Sequence, residues 1–189
     1  SKFELLSRIY DSRDSIQRVT REVIEDAARD NVRHLELRIS LHHLSKWMRF
    51  SMADVKRWVH EAKQQAERDF NISVLLIPMI NRERGRELAE AVTGLVLGQT
   101  EPVFGGMDLA GDEFEAPCPP YEDLFERVRA EGIPVCIHAD EVRGADNVRC
   151  CLEAYNPQRI GHGIRAIEDP EVMALLRQRH ITLEVCPTS

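Results

Sequence analysis

The sequence predicts an α/β fold of the (β/α)8 TIM-barrel type, on three observations. Six short β-branched or apolar runs start at His34, Ser73, Val103, Val135, Ile160 and Ile181, so successive starts lie 39, 30, 32, 25 and 21 residues apart. A strand–helix–strand unit takes about 30 residues, which is this period. Segments of helical periodicity fill the intervals, and regular alternation of the two builds a parallel sheet with outer helices. Polar residues gather at the C-terminal ends of the runs: Glu36 and Arg38, Asp108, His138 with Glu141, His162, and Glu184. A barrel collects such residues from several strands onto one face, where its active site lies. The competing open, doubly wound sheet is weakened because no Gly-x-Gly-x-x-Gly follows any run.

Each element has its own justification. The first helix follows from the stripe Ile16, Val19, Val23, Ile24 and Ala27, with Asp14 or Ser15 placed to cap it. Strand His34–Ile39 leads into a polar loop whose adjacent His42 and His43 point apart. Val55, Trp58, Val59, Ala62 and Ala66 form the next helix, behind Ser51 and Asp54 as a capping box. Strand Ser73–Ile80 precedes a helix on Leu88, Ala91, Val92, Leu95 and Val96. After strand Val103–Leu109, Pro119 and Pro120 suit the first turn of a helix carrying Tyr121, Leu124, Phe125 and Val128. Strand Val135–His138 is followed by a helix on Val148, Cys151, Leu152 and Tyr155. Strand Ile160–Ile164 then gives way to a helix opened by Asp169-Pro170, and Ile181–Val185 is the last run.

Six of the eight strand–helix units are therefore expected, as one partial barrel domain over residues 1–189 with the first and last strands missing. A whole barrel takes about 250 residues. Unclosed sheet edges would be open to self-association or to a complementing segment.

Composition narrows the function classes. Net charge −7 disfavours non-specific binding to nucleic acid or to anionic membranes. No stretch approaches 18 continuous apolar residues, and SKFELLSRIY is charged too early for a secretory leader. Five cysteines, with Cys150 and Cys151 adjacent, show no legible paired framework, so a reducing cytoplasmic setting is expected. Cys136 and Cys186 are expected on buried strands and Cys150 and Cys151 on a helix, all as free thiols, while Trp47 and Trp58 are expected in helix packing.

Three segments carry chemistry. Val135–Glu141 delivers His138 at a strand end and Glu141 three positions later; imidazole is a good zinc ligand, and a nearby carboxyl can move a proton. In Arg159–Ile164, glycines flank His162 and leave its ring exposed at a strand end. Asp108–Glu113 is an acidic loop in which Gly111 can offer its backbone N–H to a flat ligand.

Together these segments resemble the adenosine deaminase family of zinc-dependent aminohydrolases, which are (β/α)8 barrels. The family's DLAGDE stands at 108–113, its HAGE as HADE at 138–141, its RIGHG at 159–163, and its E-x-C-P-x-S as Glu184–Ser189; HLELR at 34–38 is also similar. The resemblance implies hydrolytic deamination of adenosine or a related 6-aminopurine, with metal-bound hydroxide attacking C6 and ammonia leaving. It implies His138 as a zinc ligand, Glu141 as the general acid at purine N1, and His162 beside the hydroxide. Gly111, with its N–H on purine N3, and Asp108 are implied at the substrate, which would be a purine nucleoside or similar small molecule.

The sequence departs from the family pattern in three places. It has no H-x-H, the family's source of two zinc ligands, and no segment for the Asp that completes the zinc site. Asp140 stands where the family has Gly, adding bulk beside Glu141 and narrowing the expected pocket. The alternative function is a catalytically incomplete barrel fragment acting as an assembly or binding module, or a deaminase of another adenine derivative.

Overall fold

The computed structural model describes residues 9–45 and 50–186. Trp47 lies outside the described residues, as do Pro187, Thr188 and Ser189 of the last motif. The strands are β1 (His34–Ile39), β2 (Ser73–Asn81), β3 (Met107–Ala110), β4 (Val135–Ala139), β5 (Arg159–His162) and β6 (Thr182–Glu184). All are parallel and hydrogen-bonded in sequence order, the progression of a (β/α)8 barrel. The chain divides into two compact units, one ending at Pro78 and including Glu101–Phe104, the other holding Met79–Thr100 and the chain from Gly105 onward.

The first unit contains α1 (Arg13–Arg29), β1, α2 (Leu41–Ser45), α3 (Met52–Phe70) and the first part of β2. Helix α1 buries Ile16, Thr20 and Ile24, and α3 buries Val55, Val59, Ala62 and Ala66, as an amphipathic stripe at helical spacing should. The cap of α1 is Ser12, ahead of the expected Asp14 or Ser15, and Ser15 is its capping-box partner. Ser51 caps α3 by accepting from the Asp54 N–H at 3.0 Å, and Asn71 ends that helix with φ 49°. His42 and His43, expected in a loop, lie in the short helix α2. Trp58 packs edge-on against Phe50 with ring centroids 5.0 Å apart.

The second unit contains the end of β2, a 3-10 turn (Arg82–Arg84), α4 (Arg86–Leu97), β3, α5 (Glu122–Ala130), β4, α6 (Ala145–Tyr155), β5, a second 3-10 turn (Ile164–Glu168), α7 (Pro170–Gln178) and β6. Its core includes Ile80, Val92, Met107, Leu109, Leu124, Phe125, Ile137, Val148, Tyr155 and Ile160. Strand β3 starts at Met107 and not at Val103, after the Gly105-Gly106 pair, which has no side chains with which to hold a pleated edge. Pro119 and Pro120 precede α5, whose N-cap is Tyr121. Asp169 caps α7 as read, accepting from the Glu171 and Val172 N–H groups.

Cysteine usage differs from expectation. Cys118 and Cys150 form a disulfide, with Cα atoms 6.3 Å apart and a sequence separation of 32. Cys136 and Cys151 are buried free thiols as expected, whereas Cys186 lies beyond β6 and is exposed. Burial pushes the Cys151 thiol up to about 12, so it is an inert thiol and not a thiolate. No helix among the described residues is long and apolar enough to cross a membrane.

Candidate active site

Every residue of the candidate site belongs to the second unit. Strands β3, β4 and β5 are adjacent, with Asp108 opposite Cys136 and His138 opposite Gly161. This places Asp108, His138 and His162 side by side near the C-terminal ends of three neighbouring strands. Nδ1 of His138 lies 3.0 Å from Oδ1 of Asp108, whose side chain is fully buried. The rings of His138 and His162 meet edge to face with centroids 5.4 Å apart. Nε2 of His162, whose ring is buried and not, as expected, exposed, lies 3.7 Å from Oε2 of Glu141, whose side chain is 44% exposed.

Of the two glycines that flank His162, Gly163 is the one its conformation and surroundings require. A Cβ on Gly161 would touch Cγ and Nδ1 of His138 at 3.4 Å, so the imidazole lies flat over the β5 backbone. Gly163 has φ 64°, and a Cβ there would meet Leu183 at 2.9 Å. Between them His162 itself takes φ 67°, a left-handed conformation that costs a side-chain-bearing residue roughly 1 kcal/mol. Strain held at a strand end, with a functional side chain aimed by it, is a common property of active sites.

Asp108, expected at the substrate, is instead buried behind His138. Its carboxylate fixes which imidazole nitrogen faces forward, the relationship that supports a metal-ligating histidine. Gly111 has φ 105°, and a Cβ would collide with Oε2 of Glu83 at 2.1 Å. Its glycine is required by that backbone conformation, because the Glu83 carboxylate, which accepts the Asp112 N–H at 3.2 Å, is the movable end of a flexible side chain. Asp140 takes φ 72°, where the family's glycine is at ease. Its carboxylate is buried and accepts the backbone N–H of Arg165. Burial raises its pKa above the ordinary carboxylate range.

Two residues that the sequence reading did not single out organise the cluster. Arg82 is 1% exposed, and its guanidinium donates to the carbonyls of Pro117, Leu109 and His138. It thereby clamps the ends of β3 and β4 to the loop between β3 and α5. Glu113 is equally buried and accepts backbone N–H groups from Glu141, Val142 and Arg143. Glu113 was visible as the last letter of DLAGDE, whereas Arg82 stands in a charged Arg-Glu-Arg triplet with no local signal of burial.

The fit of a metal is partial. His138, with Nδ1 held by a carboxylate, offers the chemistry of one zinc ligand through Nε2. Among the described residues, no group of three or more His, Cys, Asp or Glu is arranged to hold an ion. Glu184, at the end of β6, pairs with Arg159 at 3.1 Å.

The whole chain, residues 1–189, matches the family model for adenosine deaminase. An adenosine deaminase of Vibrio parahaemolyticus is 33% identical over 176 residues, covering 93% of this chain and 52% of that protein. The crystal structure of an adenine deaminase from Arthrobacter aurescens superposes with TM-score 0.84 at 28% identity, covering 94% of this chain and 54% of that one. An amidohydrolase from Burkhoderia ambifaria with bound Zn superposes with TM-score 0.86 at 27% identity, over 93% of this chain and 48% of that one. The chain spans about half the length of the relatives it matches. With the motifs, the strand-end geometry and the match along its full length in agreement, the chain belongs to the adenosine deaminase family.

Proposed function

We propose that the protein carrying this chain hydrolyses the 6-amino group of a purine compound and releases ammonia, with adenosine to inosine as the leading conversion. The observation that carries this reading is the convergence of Asp108, His138, His162 and Glu141 from three consecutive strand ends. A purine C6 is a poor electrophile until its ring nitrogen N1 takes a proton. Glu141, exposed at the mouth of the cluster, donates that proton as a carboxylic acid. His162, 3.7 Å from Glu141, holds the attacking water by hydrogen bond and stabilises the charge that develops as it adds to C6. Ammonia then leaves as the carbonyl forms. The Gly111 N–H fixes the ring from its N3 side. His138, backed by Asp108, would be one ligand of a zinc ion, which when bound supplies ionised water near neutral pH.

The test is ammonia release by the full-length protein from adenosine, adenine and AMP. Glu141→Gln should lower kcat by about 10²–10⁴-fold, the usual worth of a general acid. Near-normal turnover in that variant would remove Glu141 from the role. A second reading, deamination of another adenine derivative, is favoured by the likeness to the Arthrobacter adenine deaminase. Turnover of adenine or AMP well above that of adenosine would establish it.

A further inference from the structure

Glu113 is a charged loop residue buried to 1% exposure. Its Oε1 accepts the Glu141 N–H at 3.2 Å, and its Oε2 accepts the N–H groups of Val142 and Arg143 at 3.4 and 3.2 Å. Three consecutive amides thus form a concave anion-binding nest, and the anion that fills it comes from a loop 28 residues earlier in the chain. The loop carrying Glu113 is itself held. Oδ1 of Asp112 accepts the N–H groups of Phe114 and Glu115 at 2.8 and 3.2 Å, and the Asp112 N–H is bound to Glu83. On the other side of the 141–143 segment, the Arg143 carbonyl accepts from the Arg165 guanidinium.

The side chain of Glu141 is 44% exposed, so packing does little to hold it, and its direction depends on the backbone beneath it. We propose that Glu113 is a positioning residue for Glu141: its buried carboxylate gathers the 141–143 amides and so sets where the proton donor is presented to the purine ring. The inference rests on the reading of Glu141 as general acid.

Two substitutions probe it in the full-length protein. Glu113→Gln keeps the shape but turns one acceptor into a donor, so it faces amide N–H groups with an NH2. Glu113→Asp keeps the charge but is one methylene too short to reach all three amides. Each should lower kcat by about 10–100-fold with KM changed less than about threefold, because misplacing a proton donor by about 1 Å costs rate more than binding. Placed in a Glu141→Gln background, Glu113→Gln should cost less than about threefold more, since a residue acting through Glu141 has nothing left to position. Amide exchange at 141–143 should accelerate roughly tenfold in either variant, with or without substrate.

Unchanged exchange, a kcat within twofold of the parent, or a full further loss in the Glu141→Gln background overturns the proposal. Faster exchange in a protein that releases no ammonia from any purine overturns the deaminase reading instead. In that case the nest is a structural tether and the positioning role falls with the reading. Should Glu113→Gln fail to fold, Glu113→Asp decides by the same measurements.

Discussion

Nδ1 of His138 sits 3.0 Å from Oδ1 of Asp108, a carboxylate wholly shut off from solvent at the heart of β3. A buried carboxylate on one imidazole nitrogen leaves the other as the forward-facing electron-pair donor and makes it more basic. Asp108→Asn should therefore weaken zinc binding by the full-length protein 10–100-fold, measured by competition with a chelator, with a comparable fall in kcat. Unaltered metal affinity would separate His138 from the metal.

Arg82 makes a different kind of prediction because it acts on backbone. Its three carbonyl acceptors belong to Pro117, Leu109 and His138, and replacing the guanidinium by an apolar chain strands them without their donor. Arg82→Met should cost about 3 kcal/mol, seen as a lower urea midpoint at unchanged m. Arg82→Lys should recover only part of it, because one ammonium cannot span three acceptors that a planar fork reaches.

The sequence signals that succeeded are local ones. Strand β1 runs from His34 to Ile39 as its apolar pattern predicts, and Asp169-Pro170 opens α7, because period and cap chemistry act within a few residues. The placement of His138, His162 and Glu141 at or just past strand ends was legible for the same reason. What escaped was long-range pairing. The resemblance implies Asp108 at the substrate, and nothing in its own segment shows that His138, 30 residues on, lies against it. Glu113 and Arg82 bond to amides and carbonyls contributed by later loops and strands, and Cys118 finds Cys150 only once α6 has folded back. The His42-His43 pair became helical because Leu41 and Ser45, four apart, are both buried on one helical face.

The cysteine pairing gives a direct count. With Cys118 and Cys150 joined, denaturation without reductant should expose three titratable thiols, Cys136, Cys151 and Cys186, and reduction should raise the number to five. In the native protein Cys186 should react first, since Cys136 and Cys151 are buried and burial keeps the Cys151 thiol protonated. Closing a loop of this length stabilises by roughly 4 kcal/mol, so Cys150→Ser should lower the urea midpoint accordingly. Five thiols in the unreduced, denatured protein would contradict the bridge.

Asp140 sets a pH-dependent prediction whose sign follows from its burial. Removal from water outweighs the help its carboxylate receives from the Arg165 N–H, so its pKa is raised in the folded state above the unfolded value. An acid shifted this way contributes stability that is complete below its unfolded pKa and is lost as pH rises through the folded one. Its Oδ1 is also buried without a hydrogen-bond partner, which worsens the cost once the group is charged. Asparagine keeps an oxygen for the Arg165 N–H, tolerates φ 72° and carries no charge. Asp140→Asn should therefore match the parent in acid, where Asp140 is protonated. It should exceed the parent by about 1 kcal/mol at neutral pH, with the gap opening from the ordinary carboxylate range upward. Urea titrations at a series of pH values measure that gap. A variant less stable than the parent at neutral pH, or a difference that does not change with pH, would mean that the Asp140 carboxylate is better solvated or better paired than its burial implies.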